Sequence, residues 1–139
     1  MSYRGGIKPK HTTPSKEFFE ELQSEYGIER IITLNGSAKW VGPLVKSAGL
    51  EWIYEPLSDS RGTLNLGSSG WSKIKNGLKK GNALIHCTHG ADRTGATVGR
   101  WYVEKDIMSV SKAKDDAFAY NGKTKNLDSV DKFIEQGPA

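Results

Sequence analysis

Apolar positions along this chain recur in two alternating rhythms, a helical one and a short β-branched one. Ser15 stands where a helix can be capped, Phe18, Phe19 and Leu22 share one face, and Gly27 supplies the left-handed residue that ends such a helix. Ile28 to Leu34 is a compact β-branched run, which predicts a buried strand, and Asn35-Gly36 turns the chain at its end. Residues 39–48 predict a short helix broken at Gly42-Pro43, and Leu50-Glu51-Trp52-Ile53-Tyr54-Glu55 reads as a partly alternating strand. From Pro56 to Gly70 the chain is rich in serine and glycine, so a long loop is expected; loops of this length are usually functional or disordered.

The helical rhythm returns over Ser72 to Lys80, where Trp71, Ile74 and Leu78 keep helical spacing and Gly81 closes the segment. Lys73, Lys75, Lys79 and Lys80 fall mostly elsewhere on that helix, which reads as a solvated basic face rather than a nucleic-acid patch. Ala83-Leu84-Ile85 then forms a strand running into Cys87, and a helix over about 93–106 turns Val98, Trp101 and Tyr102 inward. A further helical stretch spans about 111–120, Asn121-Gly122 breaks it, and Leu127, Val130, Phe133 and Ile134 mark a last helix ending near Gly137-Pro138. Residues 1–14, with Gly5, Gly6, Pro9 and Thr12-Thr13-Pro14, read as an irregular N-terminal arm.

Strands alternating with helices argue for an α/β fold: one domain over residues 1–139, with a central, mostly parallel sheet of about four strands flanked by helices. Ligands of such sheets bind beyond the carboxyl ends of the strands, where Cys87 falls. With 36% hydrophobic and 26% charged residues the composition is that of a globular chain, and its length suffices for a core without disulfide or metal. The net charge of +4 favours anionic partners without selecting among them. Cys87 is the single cysteine, so no internal disulfide can form and a reducing compartment suits the chain. No signal-like apolar core opens the sequence and no apolar run approaches membrane-spanning length, so no membrane anchor and a cytoplasmic location are expected.

The chemistry concentrates in Ile85-His86-Cys87-Thr88-His89-Gly90-Ala91-Asp92-Arg93-Thr94-Gly95, which reads as strand, tight loop and helix. Backbone N–H groups of such a loop can converge on one anion, and the positive end of the following helix faces the same point. A thiol attacks phosphorus as the thiolate, whereas a free cysteine, with a pKa of about 8.5, is mostly protonated at neutral pH. A helix N-terminus, converging N–H groups and a guanidinium are the groups that favour the anion, and this one segment supplies all three. Arg93 also offers a planar fork able to hold two phosphate oxygens at once, which lysine cannot do. Thr88, His89, Gly90, Ala91, Asp92 and Arg93 are the candidate phosphate-binding residues.

The stretch from His86 to Gly95 resembles the signature of the cysteine-dependent protein tyrosine phosphatase superfamily: His-Cys, a glycine three residues after the cysteine, Arg, Thr and Gly all match. Small size, the strand-loop-helix setting and an upstream acidic loop make it similar to the compact dual-specificity branch. The resemblance is strong over residues 82–102, looser over 28–82, and fades beyond. It implies a dual-specificity phosphatase-like fold and a two-step hydrolysis of phosphotyrosine or phosphoserine/threonine proteins through a cysteinyl-phosphate, with no metal or organic cofactor. It further implies Cys87 as nucleophile, Arg93 on the phosphate, Thr94 hydrogen-bonding the leaving thiolate, and His86 supporting the cysteine and loop. The first step needs an acid at the leaving oxygen, and the same group can then serve as base toward water. Asp59, in the loop after the 50–55 strand, is the candidate; Asp92 ranks second as a loop position.

Two other readings stand beside this one. His86-Cys87-Thr88-His89-Gly90 also resembles the RNA 5′-triphosphatase branch of the same superfamily, which would make an RNA 5′ end the substrate, although Ala91-Asp92 departs from the Asn that commonly precedes the arginine there. A catalytically silent module that binds phosphorylated partners is the alternative from another class, and retention of both Cys87 and Arg93 argues against it. A zinc site is disfavoured because His86, Cys87 and His89 crowd one short loop and leave only His11 as a further histidine. A nucleotide-binding loop requires Lys-Ser/Thr after the glycine frame, where this chain has Ala96-Thr97.

Overall fold

The computed structural model describes residues 3–6, 15–60, 63–65, 68–87, 92–121 and 133–135. Four strands, β1 (Tyr3–Gly6), β2 (Arg30–Thr33), β3 (Glu51–Tyr54) and β6 (Ala83–Cys87), form one sheet in the order β1-β6-β2-β3, with every neighbouring pair parallel. Two shorter strands, β4 (Ser58–Ser60) and β5 (Thr63–Asn65), pair antiparallel as a separate hairpin. The α/β architecture with about four parallel strands is the one the alternation of patterns predicts.

Period-two alternation assigns the strand side chains to two cores. Ile31 and Leu84 pack toward α1 (Lys16–Tyr26) and α2 (Val41–Ser47), with Phe19, Val41, Val45 and Leu50. Ile32, Ile85 and Cys87 face the opposite layer, made by α3 (Ser68–Lys80), α4 (Asp92–Glu104) and α5 (Val110–Asn121), with Ile74, Ala96, Val98 and Ala113. A sheet covered on both faces explains why β2 and β6 read as apolar runs. β3 lies on one side of β2 and β6 on the other, so the strand order reverses between β2 and β6. That reversal opens a crevice at their carboxyl ends, at Thr33 and Cys87.

Several expected boundaries move, each for a local reason. Tyr3–Gly6, within the stretch read as an irregular arm, is a strand: its ladder with Leu84 to Cys87 is a main-chain matter, which two glycines obscure in the sequence. Gly42-Pro43 does not break α2, because both residues sit in its first turn, where the missing proline N–H has no intrahelical partner to lose. The loop expected over 56–70 contains the β4–β5 hairpin and the first turn of α3. Gly27 ends α1 as predicted, with φ of 67° and its N–H bonded to the Gln23 carbonyl. Ser15 holds the N-cap position without a side-chain bond to the helix backbone. Of the last predicted helix, residues 133–135 are helical and Phe133 and Ile134 are buried, while Leu127 and Val130 lie outside the described residues.

Candidate active site

Cys87 ends β6, and its side chain is 5% exposed among the residues under α4. Thr94, fully buried in the first two turns of α4, donates its hydroxyl hydrogen bond to Cys87 Sγ at 3.1 Å. The strand end and the helix start are therefore joined through the sulfur itself. Hydrogen bonds of this kind are stronger to a charged acceptor than to a neutral one.

Arg93, half-buried beside Thr94, donates Nε–H to the Leu57 carbonyl at 2.9 Å. Leu57 is buried, and its own N–H is bonded to the Leu34 carbonyl at 2.9 Å, beyond the end of β2. One residue later β4 begins, with Asp59 at its centre opposite Leu64. The backbone thus brings the Asp59 segment to the arginine of the signature. Asp92 is the first residue of α4. Thr88, His89, Gly90 and Ala91 lie outside the described residues.

His86 is fully buried between the layers, with Nε2 2.8 Å from Thr33 Oγ1 and Nδ1 3.2 Å from the Cys87 carbonyl. Burial pushes the imidazole pKa down to about 4, against the opposing pull of that carbonyl. His86 is therefore neutral at physiological pH and acts through its hydrogen bonds. Thr33 also accepts from Trp52 Nε1 at 2.9 Å. Neither Thr33 nor Trp52 was singled out from the sequence. The available signal was a polar residue closing an apolar strand at the carboxyl edge of the sheet.

α4 is held at its far end by α3. Arg100 lies over the Trp71 ring at 4.4 Å and the Phe133 ring at 4.8 Å, while Glu104 accepts from Trp71 Nε1 at 2.8 Å and pairs with Lys75 at 3.2 Å. Of the lysines of the basic face, Lys73 and Lys80 likewise pair with Glu55 and Glu51. Those charges serve α3 packing and solvation. Among the described residues, no group of three or more His, Cys, Asp or Glu side chains could hold a metal ion. Nor is any helix of those residues long and apolar enough to cross a membrane.

The architecture is a fold shared with solved phosphatase structures, and Cys87 stands at the carboxyl end of β6 beside the point where the strand order reverses. No protein-family model and no curated protein matches the chain in sequence. Solved structures match it in shape. It is similar to the core catalytic domain of the PP-IP phosphatase SIW14 from S. cerevisiae, with a TM-score of 0.71, 21% identity, and coverage of 96% of this chain and 78% of that one. It is also similar to PTPMT1, with a TM-score of 0.68, 17% identity and coverage of 99% and 91%. P. aeruginosa TpbA matches with a TM-score of 0.71, 13% identity and coverage of 98% and 80%.

Proposed function

We propose that this chain is a phosphoric monoester hydrolase that acts on phosphotyrosine or phosphoserine/threonine proteins through a cysteinyl-phosphate. The observation that carries this reading is the Thr94 hydroxyl on Cys87 Sγ, which joins the end of β6 to the first turn of α4 with Arg93 immediately before Thr94. A hydroxyl directed at the sulfur beside a helix N-terminus is the setting that suits a reactive cysteine.

In the first step Cys87 Sγ forms a bond to phosphorus while the bond from phosphorus to the leaving oxygen breaks. Asp59 gives that oxygen its proton. Arg93 and the N–H groups of residues 88–93 hold the equatorial oxygens as charge spreads over them. In the second step water attacks the phosphorus, Asp59 takes its proton, and the departing thiolate is received by the Thr94 hydroxyl. Neither step draws on a metal or organic cofactor. The Nε–H of Arg93 is engaged by Leu57 in this structure, which leaves the terminal NH2 groups of the guanidinium for the phosphate.

The test is turnover of a generic aryl phosphate by the wild type and by Cys87→Ser, in the presence of a chelator. Activity in the wild type and none in the variant supports the reading; full activity in Cys87→Ser overturns the nucleophile. A parallel comparison of phosphotyrosine peptides, phosphoserine/threonine peptides, phosphoinositides and 5′-triphosphorylated RNA assigns the substrate. Preference for the RNA would replace the protein reading by the triphosphatase one, and phosphate binding without turnover would establish the silent module.

A further inference from the structure

A chain of hydrogen bonds runs from the edge of the sheet to the peptide that follows the candidate nucleophile, and its direction can be derived. The Trp52 indole N–H is only a donor, so Thr33 Oγ1 is the acceptor of the 2.9 Å bond. The Cys87 carbonyl is only an acceptor, so the proton of the imidazole sits on Nδ1 in the 3.2 Å bond. A neutral imidazole protonated at Nδ1 has a lone pair at Nε2. The Thr33 hydroxyl therefore donates its single hydrogen to Nε2 across 2.8 Å. Every member has one role, and no member can be reversed without leaving another unsatisfied.

The indole at the head of this chain is itself held in place. A Cβ on Gly42 would lie 2.5 Å from Trp52 Cζ3, so the ring rests directly on the backbone of α2. Tyr54 stacks on it with ring centroids 4.9 Å apart and planes inclined by 13°, and Lys46 Nζ lies 5.4 Å from its centroid. The ring is thereby held between the backbone of α2 and the Tyr54 ring. This keeps the N–H aimed at Thr33.

We propose that Trp52 and Thr33 are positioning residues that fix the Nδ1–H tautomer of His86, and through it the carbonyl of Cys87 and the peptide plane by which the chain leaves the nucleophile. Trp52 polarises the Thr33 hydroxyl by donating to its oxygen, which makes that hydroxyl a stronger donor to His86. The catalytic consequence rests on Cys87 being the nucleophile, whereas the tautomer itself does not.

The experiment therefore has two readouts on Trp52→Phe, Thr33→Val and Thr33→Ser. Ring 15N chemical shifts of His86, recorded near neutral pH, report the tautomer without any substrate. The wild type and Thr33→Ser are expected to show Nδ1 protonated; in Thr33→Val the ring loses its hold at Nε2, so the bond to the Cys87 carbonyl no longer keeps one ring orientation and a mixture of tautomers appears. Turnover of an aryl phosphate should fall roughly tenfold or more in Thr33→Val, the size of effect known for hydrogen-bond partners behind metal-bound histidines, and less in Trp52→Phe, with KM within about twofold and recovery in Thr33→Ser. An unchanged Nδ1–H tautomer in both Thr33→Val and Trp52→Phe overturns the proposal, as does a loss of turnover in Thr33→Val that Thr33→Ser fails to restore. If no phosphate ester is hydrolysed by the wild type, the phosphatase reading fails while the shifts still decide the relay.

Discussion

Acidification should destabilise this fold through one buried side chain, and the size of the effect follows from its environment. His86 is neutral in the folded chain because burial holds its pKa at about 4, against 6.5 for an unperturbed imidazole. Between those values the unfolded chain binds a proton that the folded chain refuses, so stability is full above 6.5 and falls as pH drops toward 4. At 1.36 kcal/mol per unit the ceiling of this loss is about 3 kcal/mol, and at about pH 5 roughly 2 kcal/mol of it is already spent. That is a large share of the ~5–15 kcal/mol that holds an ordinary domain together.

Urea unfolding of the wild type and of His86→Asn, at about pH 8 and about pH 5, measures the effect, because asparagine does not titrate and carboxylate contributions are common to both. The wild type should lose about 2 kcal/mol more than the variant over that interval. At about pH 8 the variant should be the less stable of the two, since it breaks the bonds to Thr33 and to the Cys87 carbonyl. Equal losses in the two proteins would show that the imidazole is protonated, or solvated, in the folded state, and the neutral-donor role assigned to it would fall.

Thr94→Val removes the hydroxyl from Cys87 Sγ, and a hydrogen bond to a charged group is worth about 1.5–3 kcal/mol, so alkylation of Cys87 by iodoacetamide near pH 6 should slow by roughly tenfold or more; an unchanged rate would mean the hydroxyl does not stabilise the thiolate. Arg93→Lys gives up both the planar fork and the anchor on Leu57, so kcat/KM on an aryl phosphate should fall on the order of a hundredfold or more, with a stability loss of about 1–3 kcal/mol for the stranded carbonyl; lysine supporting near-wild-type turnover would rule out bidentate binding. Asp59→Asn should lose turnover heavily on a substrate with a basic leaving group and much less on one whose leaving group needs no proton; equal losses on both would remove it as the acid. Gly42→Ala forces a Cβ into the Trp52 ring and should cost about 1–3 kcal/mol in urea unfolding, which a variant of wild-type stability would contradict.

The parts of this fold legible in the sequence are those whose signal is local. β2 and β6 announce themselves as apolar runs because both their faces are covered, and α1 and α3 show their buried stripes through Phe19, Trp71 and Ile74. The Thr94 hydroxyl on Cys87 Sγ is the contact that the resemblance of the 86–95 stretch implies. What escaped is non-local or carried by main chain. β1 forms through a ladder to residues far along the chain, and its Gly5 and Gly6 read as a lead-in. The β4–β5 hairpin consists of three-residue strands, Ser-Asp-Ser and Thr-Leu-Asn, too short to show a period along the sequence. Trp52 and Thr33 meet His86 across three adjacent strands, in registers that no spacing along the sequence specifies.

The carboxyl end of β2 explains how so few side chains can support a site of this kind. Thr33 bonds His86 through its side chain and receives the Glu55 N–H on its carbonyl; Leu34 gives its N–H to the His86 carbonyl and receives the Leu57 N–H on its own. Leu57 in turn holds Arg93. Two consecutive residues therefore fasten the strand that carries the candidate nucleophile, the segment that carries the candidate acid and, through Leu57, the candidate phosphate-binding arginine. Most of these bonds are main chain to main chain and impose little on residue type. A frame built this way constrains sequence at only a handful of positions. That is a physical reason why one fold can be shared at a TM-score of 0.71 with 21% identity or less.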